Sequence, residues 1–152
     1  MRRVCMGGTF DILHIGHEAL LTQASNIGDK ILVGLTTNER AKKGRNADFL
    51  NPYEIRKRNL ENLLESLGFL EKFEIVPLND DWGPSVVDED FEAIVVSEET
   101  KSTADMINKV RSKEGKNELQ VVIVPMIKAF DGKYISSSRI RKKEIDTKGN
   151  LT

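Results

Sequence analysis

The feature of this sequence that most constrains its fold is the alternation of short apolar runs with longer amphipathic stretches. The run at 31–35 (Ile-Leu-Val-Gly-Leu) is apolar throughout, which is typical of a strand buried on both faces of a sheet. Similar or shorter runs at 4–6, 73–76, 93–96 and 120–124 predict four more strands. Because strands that alternate with helices form parallel sheets, we predict an α/β fold. It is a Rossmann-like, doubly wound, five-stranded parallel sheet in a single domain over residues 1–152.

The stretches between these runs have helical spacing. A first helix carries His17 on one face with Leu20, Leu21 and Ala24. A second helix has Asn51 as its expected cap, Pro52 at its first position, Glu54 completing a capping box and Gly68 at its end. Its predicted buried stripe is Leu60, Leu63, Leu64 and Leu67. A third helix shows the apolar positions Thr103, Met106, Ile107 and Val110, and a short basic helix starts within 136–138.

A doubly wound sheet also predicts where a ligand binds. Ligands lie beyond the carboxyl ends of the strands, at the point where strand order reverses. We place that reversal between the first and the fourth strand. The segments that follow these strands, GGTFDILHIGH (7–17) and SEETKSTAD (97–105), are therefore expected to meet there.

The segment 7–17 has the features of a phosphate site. The glycine pair 7–8 lets the main chain approach a ligand closely, and the next helix begins with free N–H groups and a positive dipole end. Thr9 adds a hydroxyl donor. His14 and His17 are the only histidines of the chain, and Gly16 leaves room for both to face one ligand. Imidazole donors suit oxygens whose charge rises during phosphoryl transfer.

Two other interpretations of the histidine pair stay open. A His-x-x-His zinc site is conceivable, although the chain has too few further Cys or His residues to complete it. Alternatively, one histidine packs in the core while the other caps the helix. The glycine spacing matches neither GxGxxG nor the GxxxxGK[ST] phosphate loop.

Two basic segments offer further anion contacts. In YISSSRIRKKEI (134–145), the serines at 136–138 occupy an expected helix start, with Arg141 one turn further on. A capped helix with a solvated basic face explains that pattern equally well. In RAKKGR (40–45), Lys42 and Lys43 follow the second strand. They can contact a second anionic substrate or belong to a solvated loop.

The composition of the chain limits which binding partners and cellular locations are expected. The formal net charge of −1 gives no support to binding of nucleic acid or of a membrane surface. No segment approaches the roughly 20 apolar residues of a membrane span. The single cysteine, Cys5, suits a reducing, cytoplasmic location, with its side chain packed as a small apolar group.

Two motifs carry a resemblance to a known family. HIGH (14–17) and ISSSRIR (135–141) resemble the HxGH and ISSTxxR-like motifs of the nucleotidylyltransferase superfamily, with Ser138 in the usual threonine position. The motifs bracket nearly the whole chain, which is most similar to the archaeal-type phosphopantetheine adenylyltransferases. The resemblance implies transfer of AMP from ATP to 4′-phosphopantetheine, giving dephospho-CoA and pyrophosphate, with Mg²⁺ accompanying ATP.

The resemblance also implies roles for individual residues. The implied catalytic residues are His14, His17, Thr9 and Lys42, of which Thr9 and Lys42 also contact the acceptor substrate. The implied ATP contacts are Gly8, Thr9, Phe10, His14, His17, Ser136, Ser137, Ser138 and Arg141. No metal ligand is expected from protein side chains. Alternatives are a sister enzyme, such as a glycerol-3-phosphate cytidylyltransferase or an FAD synthetase, and a non-catalytic nucleotide-binding module.

Overall fold

The computed structural model describes residues 2–39, 50–79, 90–135, 140, 143 and 145–150, and its strands form one parallel sheet. The strands are β1 (Arg3–Gly8), β2 (Lys30–Thr36), β3 (Phe73–Leu78), β4 (Ala93–Ser97) and β5 (Gln120–Val124). Their order in the sheet is β3-β2-β1-β4-β5. Val4 is paired with Ile31 on one side and with Ala93 on the other. The chain therefore adds β2 and β3 on one side of β1 and then β4 and β5 on the other. The predicted reversal of strand order between the first and fourth strands is confirmed.

Helices cover both faces of the sheet. They are α1 (Ile15–Ile27), α2 (Tyr53–Leu67) and α3 (Lys101–Lys113), with a short 3-10 helix at Leu70–Lys72. Val4 and Met6 point into the core under α1 and α2, which contribute Leu21 and Leu60 among others. Cys5 points to the opposite face, where it packs with Ile107 of α3. The predicted Rossmann-like, doubly wound sheet is thus confirmed, and Cys5 is buried as expected.

The start of α2 differs from the prediction. Its N-cap is Pro52, and the capping box expected from Asn51 and Glu54 does not form. The main chain of Asn51 is bonded elsewhere, because its N–H donates to Asp11 Oδ1 at 3.0 Å and its carbonyl accepts from Arg56 Nε at 2.8 Å. Long-range contacts therefore override the local capping pattern.

The third predicted helix is present as α3, but one residue of the pattern that marks it lies off its buried face. Met106 is 53% exposed, while Ala104, Ile107 and Arg111 are buried. These three residues follow a helical spacing that turns Met106 away from the sheet. The expected start of the basic helix, at 136–138, lies outside the described residues. Among the described helices, none is long and apolar enough to cross a membrane.

Candidate active site

The turn after β1 is shaped by a buried phenylalanine. Phe10 has a positive φ of 47°, a conformation that costs a non-glycine residue energy and persists only where packing enforces it. Its ring is buried, and the ring centroid lies 5.1 Å from that of His17. A Cβ at Gly8 would lie 2.9 Å from Phe10 Cε2. Glycine is therefore needed at position 8 so that this ring can fold back against the histidine.

The two histidines together form the N-terminal cap of α1. The Gly16 N–H donates to His14 Nδ1 at 3.0 Å, and the His14 N–H donates to His17 Nδ1 at 3.2 Å. This is a capping box with imidazoles in both side-chain positions. A ring nitrogen that accepts a hydrogen bond carries no proton, so the neutral rings carry theirs on Nε2. Both histidines thus present an Nε2–H donor for a ligand.

Burial keeps these imidazoles neutral. It lowers the pKa of His14 from 6.5 to about 4. Burial, and then the neighbouring charge of His14, lowers the pKa of His17 from 6.5 to about 3. The rings are stacked, with centroids 4.0 Å apart and planes inclined by 28°. At neutral pH the pair therefore offers two uncharged donors side by side.

Gly16 leaves the space that this stacked pair needs. A Cβ at position 16 would lie 2.8 Å from His14 Cε1 and 2.9 Å from His14 Nδ1, closer than real Cβ contacts. Any side chain there would push the His14 ring out of its capping position. The predicted role of Gly16, which is to make room for the histidines, is consistent with this geometry.

A cavity of about 370 Å³ opens at the carboxyl ends of β1, β4 and β5. The turn after β1 and both histidines form one part of its lining, which we call its polar end, and the rest of the lining includes Val95, Val124 and Ile135. Ser97, the last residue of β4, and Thr100, which follows that strand, also line it. The segments 7–17 and 97–105 therefore meet as predicted. A polar end beside apolar walls suits a ligand with a phosphate group and a flat, largely apolar base.

Five of the predicted site residues line this one cavity: Gly8, Thr9, Phe10, His14 and His17. The others, Lys42, Ser136, Ser137, Ser138 and Arg141, lie outside the described residues, as does Lys43. The interpretation in which one histidine packs and the other caps the helix is only partly right. Both rings take part in the cap, because each accepts a main-chain hydrogen bond through Nδ1.

Sequence reasoning missed a buried arginine beside this site. The side chain of Arg56, on α2, is fully buried and donates from Nη1 to the carbonyl oxygens of Thr9 at 3.0 Å and Thr36 at 2.8 Å. A signal was present in the sequence, since Arg56 precedes Leu60 and Leu64 by four and eight residues. It therefore occupies the buried register of the amphipathic helix.

Comparison with known proteins agrees with this geometry. The family described as cytidylyltransferase-like matches residues 5–143. The chain belongs to the cytidylyltransferase-like family. Curated relatives that match it include two named phosphopantetheine adenylyltransferase. That of Methanosarcina acetivorans is 45% identical over 154 residues, covering 99% of this chain and 96% of the relative. That of Methanopyrus kandleri is 42% identical over 144 residues, covering 92% of this chain and 88% of the relative.

A solved structure shares the family's fold. It is a protein of unknown function from Archaeoglobus fulgidus, 33% identical, with a TM-score of 0.73. The match covers 82% of this chain and 98% of that one. The family match and the curated relatives confirm the predicted membership of the nucleotidylyltransferases.

Proposed function

We propose that this chain transfers AMP from ATP to the phosphate of 4′-phosphopantetheine, giving dephospho-CoA and pyrophosphate. The observation that carries the chemistry is the histidine pair, which presents two neutral Nε2–H donors at the polar end of a nucleotide-sized cavity. The identity of the acceptor is supported by the curated relatives, which bear the name of this activity at 42% and 45% identity.

The proposed reaction needs no general base or acid. The second pKa of a phosphate monoester is about 6, so the acceptor phosphate is already mostly dianionic at neutral pH. Its oxygen attacks the α-phosphorus of ATP, and the bond from that phosphorus to the oxygen bridging the α- and β-phosphates breaks. Pyrophosphate leaves with the bonding electrons. The protein's task is to hold two anions in line and to stabilise the charge on the α-phosphoryl oxygens.

We assign that task to the residues of the cavity's polar end. The Nε2–H groups of His14 and His17 donate to oxygens whose charge rises in the transition state, and the Thr9 hydroxyl contacts phosphate of both substrates. Lys42, Ser136–Ser138 and Arg141 are proposed to add contacts to the two phosphate-bearing substrates. These last positions lie outside the described residues.

Magnesium fits this cavity as a companion of the nucleotide. Mg²⁺ is bound largely by substrate phosphates and water, with one or two carboxylates from the protein. Two acidic residues, Asp11 and Glu99, line the cavity and would attract the hydrated ion, while its ligands would come from the nucleotide and water. Carried on the triphosphate, the ion would neutralise charge on the leaving pyrophosphate. We also propose that residues 1–152 form one catalytic domain and that it acts in the cytoplasm, where ATP is available.

The proposal is tested by pyrophosphate release from a small substrate panel. ATP and CTP are each offered with 4′-phosphopantetheine, glycerol 3-phosphate and FMN, and the nucleotide product is identified by mass. We expect release with ATP and 4′-phosphopantetheine, with dephospho-CoA as the product. Release with CTP and glycerol 3-phosphate, or with ATP and FMN, would assign the chain to a sister enzyme. Nucleotide binding without any release would indicate a binding module.

A further inference from the structure

A chain of hydrogen bonds runs from the buried Arg56 to the hydroxyl of Thr9. Arg56 Nη1 lies 3.4 Å from Thr36 Oγ1, in addition to its shorter bonds to the carbonyls of Thr9 and Thr36. Thr36 Oγ1 in turn donates to Thr9 Oγ1 at 3.1 Å. Thr36 is buried, whereas Thr9 lines the cavity. The chain thus begins in the core and ends at the polar end of the cavity.

The direction of these bonds follows from the chemistry of the guanidinium group. Arginine only donates, and its group stays charged at every pH of interest. The two protons of Nη1 serve the two carbonyls, and Thr36 Oγ1 shares one of them at 3.4 Å. The Thr36 hydroxyl donates its own proton to Thr9 Oγ1 at 3.1 Å. Because Thr9 Oγ1 accepts that proton, its own proton points away from Thr36. A hydroxyl that would otherwise rotate freely is set as a donor.

Arg56 also fixes where this hydroxyl lies. Its guanidinium bridges the ends of β1 and β2, since it binds the Thr9 carbonyl across 47 positions of sequence and the Thr36 carbonyl across 20. Arg56 Nη2 donates to Asn38 Oδ1 at 3.1 Å, and Nε donates to the Asn51 carbonyl at 2.8 Å. The side chain therefore connects α2 to two strand ends. Any shift of Arg56 would move the Thr9 main chain.

We propose that Arg56 is a positioning residue that, through Thr36, sets the Thr9 hydroxyl as a preoriented donor to a phosphate oxygen in the cavity. Preorientation matters because a donor that is already aimed costs no reorganisation when charge develops on the oxygen. Arg56 itself acts through its neighbours. This inference deepens the proposed function and rests on it for the reaction, although its binding measurement uses ATP alone.

The test is a double-mutant cycle on the two threonines. Thr36→Val keeps the shape of the buried side chain and removes its hydroxyl, and Thr9→Val does the same at the cavity. We measure kcat and KM for pyrophosphate release, and the Kd of MgATP by calorimetry. Each single variant is expected to lose about tenfold in kcat/KM. The double variant should be no more than about twofold below Thr9→Val, because Thr36 acts only through Thr9.

Control variants separate positioning from general damage. Thr36→Ser retains the donor and should recover most of the activity that Thr36→Val loses. Thr22→Val removes a hydroxyl from α1 outside the cavity lining and should leave kcat and KM unchanged. Arg56→Lys keeps the charge but loses the planar fork. Its loss of kcat/KM should be at least threefold smaller in the Thr9→Val background than in the wild type.

The outcomes separate this inference from the proposed function. Losses that multiply to about 100-fold in the double variant would overturn it. So would a Thr36→Val enzyme with wild-type kinetics beside an impaired Thr9→Val enzyme, or an equal effect of Arg56→Lys in both backgrounds. If Arg56→Lys does not fold, the double-mutant cycle on Thr9 and Thr36 still tests the inference. If the wild type binds ATP without turning it over, the proposed function fails. The Kd values of MgATP then test the inference: non-additive effects of the two threonine variants support it, and additive effects overturn it.

Discussion

Replacing His17 with asparagine or glutamine separates the two roles of this residue. The Nδ1 atom accepts the His14 N–H at 3.2 Å, whereas the Nε2–H is the proposed donor to the α-phosphoryl oxygens. An asparagine side chain ends near the position of Nδ1, so it can accept the capping hydrogen bond but does not reach the position of Nε2. A glutamine reaches the position of Nε2 and can donate there, and its Oε1 can also turn back to the His14 N–H as in a standard capping box.

The expected magnitudes differ between the two roles. Removing one preorganised donor costs about 2.7–4 kcal/mol of transition-state stabilisation, a factor of about 10²–10³ in kcat. Losing one cap acceptor costs about 1 kcal/mol of stability, which lowers Tm by about 2–4 °C in a chain of this size. His17→Asn should therefore lose about 100-fold in kcat with a Tm near wild type. His17→Gln should stay within about tenfold in kcat with a Tm no lower than that of His17→Ala, and His17→Ala should lose both the donor and the cap.

The assay combines pyrophosphate release at saturating substrates with thermal unfolding of the same preparations. The Kd of MgATP is measured in parallel and should change little in His17→Asn, because the donor acts on charge that develops during the reaction. A His17→Asn enzyme that turns over at the wild-type rate would refute the role of Nε2. A His17→Gln enzyme as inactive as His17→Ala would refute the separation of the two nitrogens.

Three further predictions follow from the histidine pair. The free energy of unfolding, measured in urea, should fall as the pH is lowered from 6.5 to 4. The reason is that the unfolded chain protonates His14 and His17 near pH 6.5, whereas their folded pKa values are about 4 and about 3. The His17→Asn variant should show a weaker dependence of this free energy on pH. The kcat should stay level from pH 7 to pH 9, since the rings act as neutral donors, and a fall that follows a histidine titration would contradict this. Gly16→Ala should lower kcat by displacing His14, whereas the control Gly115→Ala, at a φ of 75° with open space around it, should lower Tm and leave kcat unchanged.

The sheet could be predicted from sequence because each strand is a local apolar run. The run 31–35 lies within β2, and 120–124 matches β5 in full. The position of the candidate site followed from the same pattern, since parallel strands bring their carboxyl ends to one edge. These predictions depend on neighbouring residues along the chain. They succeed because no distant contact competes with the burial of an apolar strand.

The role of Arg56 could not be predicted in the same way. Its position in the apolar register of α2 marks it as buried, but its partners Thr9 and Thr36 lie 47 and 20 residues away in sequence. Asn51 also leaves its expected cap for a distant partner, because the N–H that a capping box would pair with Glu54 donates to Asp11, 40 residues away. Local propensity fails where a buried charge must satisfy its hydrogen bonds over long range.

The low pKa values of the histidines bear on how such a site discriminates between bound states. A fixed positive charge would bind the triphosphate of the ground state and the departing pyrophosphate as strongly as the transition state, which adds affinity without adding rate. A neutral Nε2–H donor interacts less with charge that is already present, and its hydrogen bond strengthens as negative charge builds on the α-phosphoryl oxygens. The burial that lowers both pKa values thus costs stability in acid and, in the proposed mechanism, favours the transition state at neutral pH.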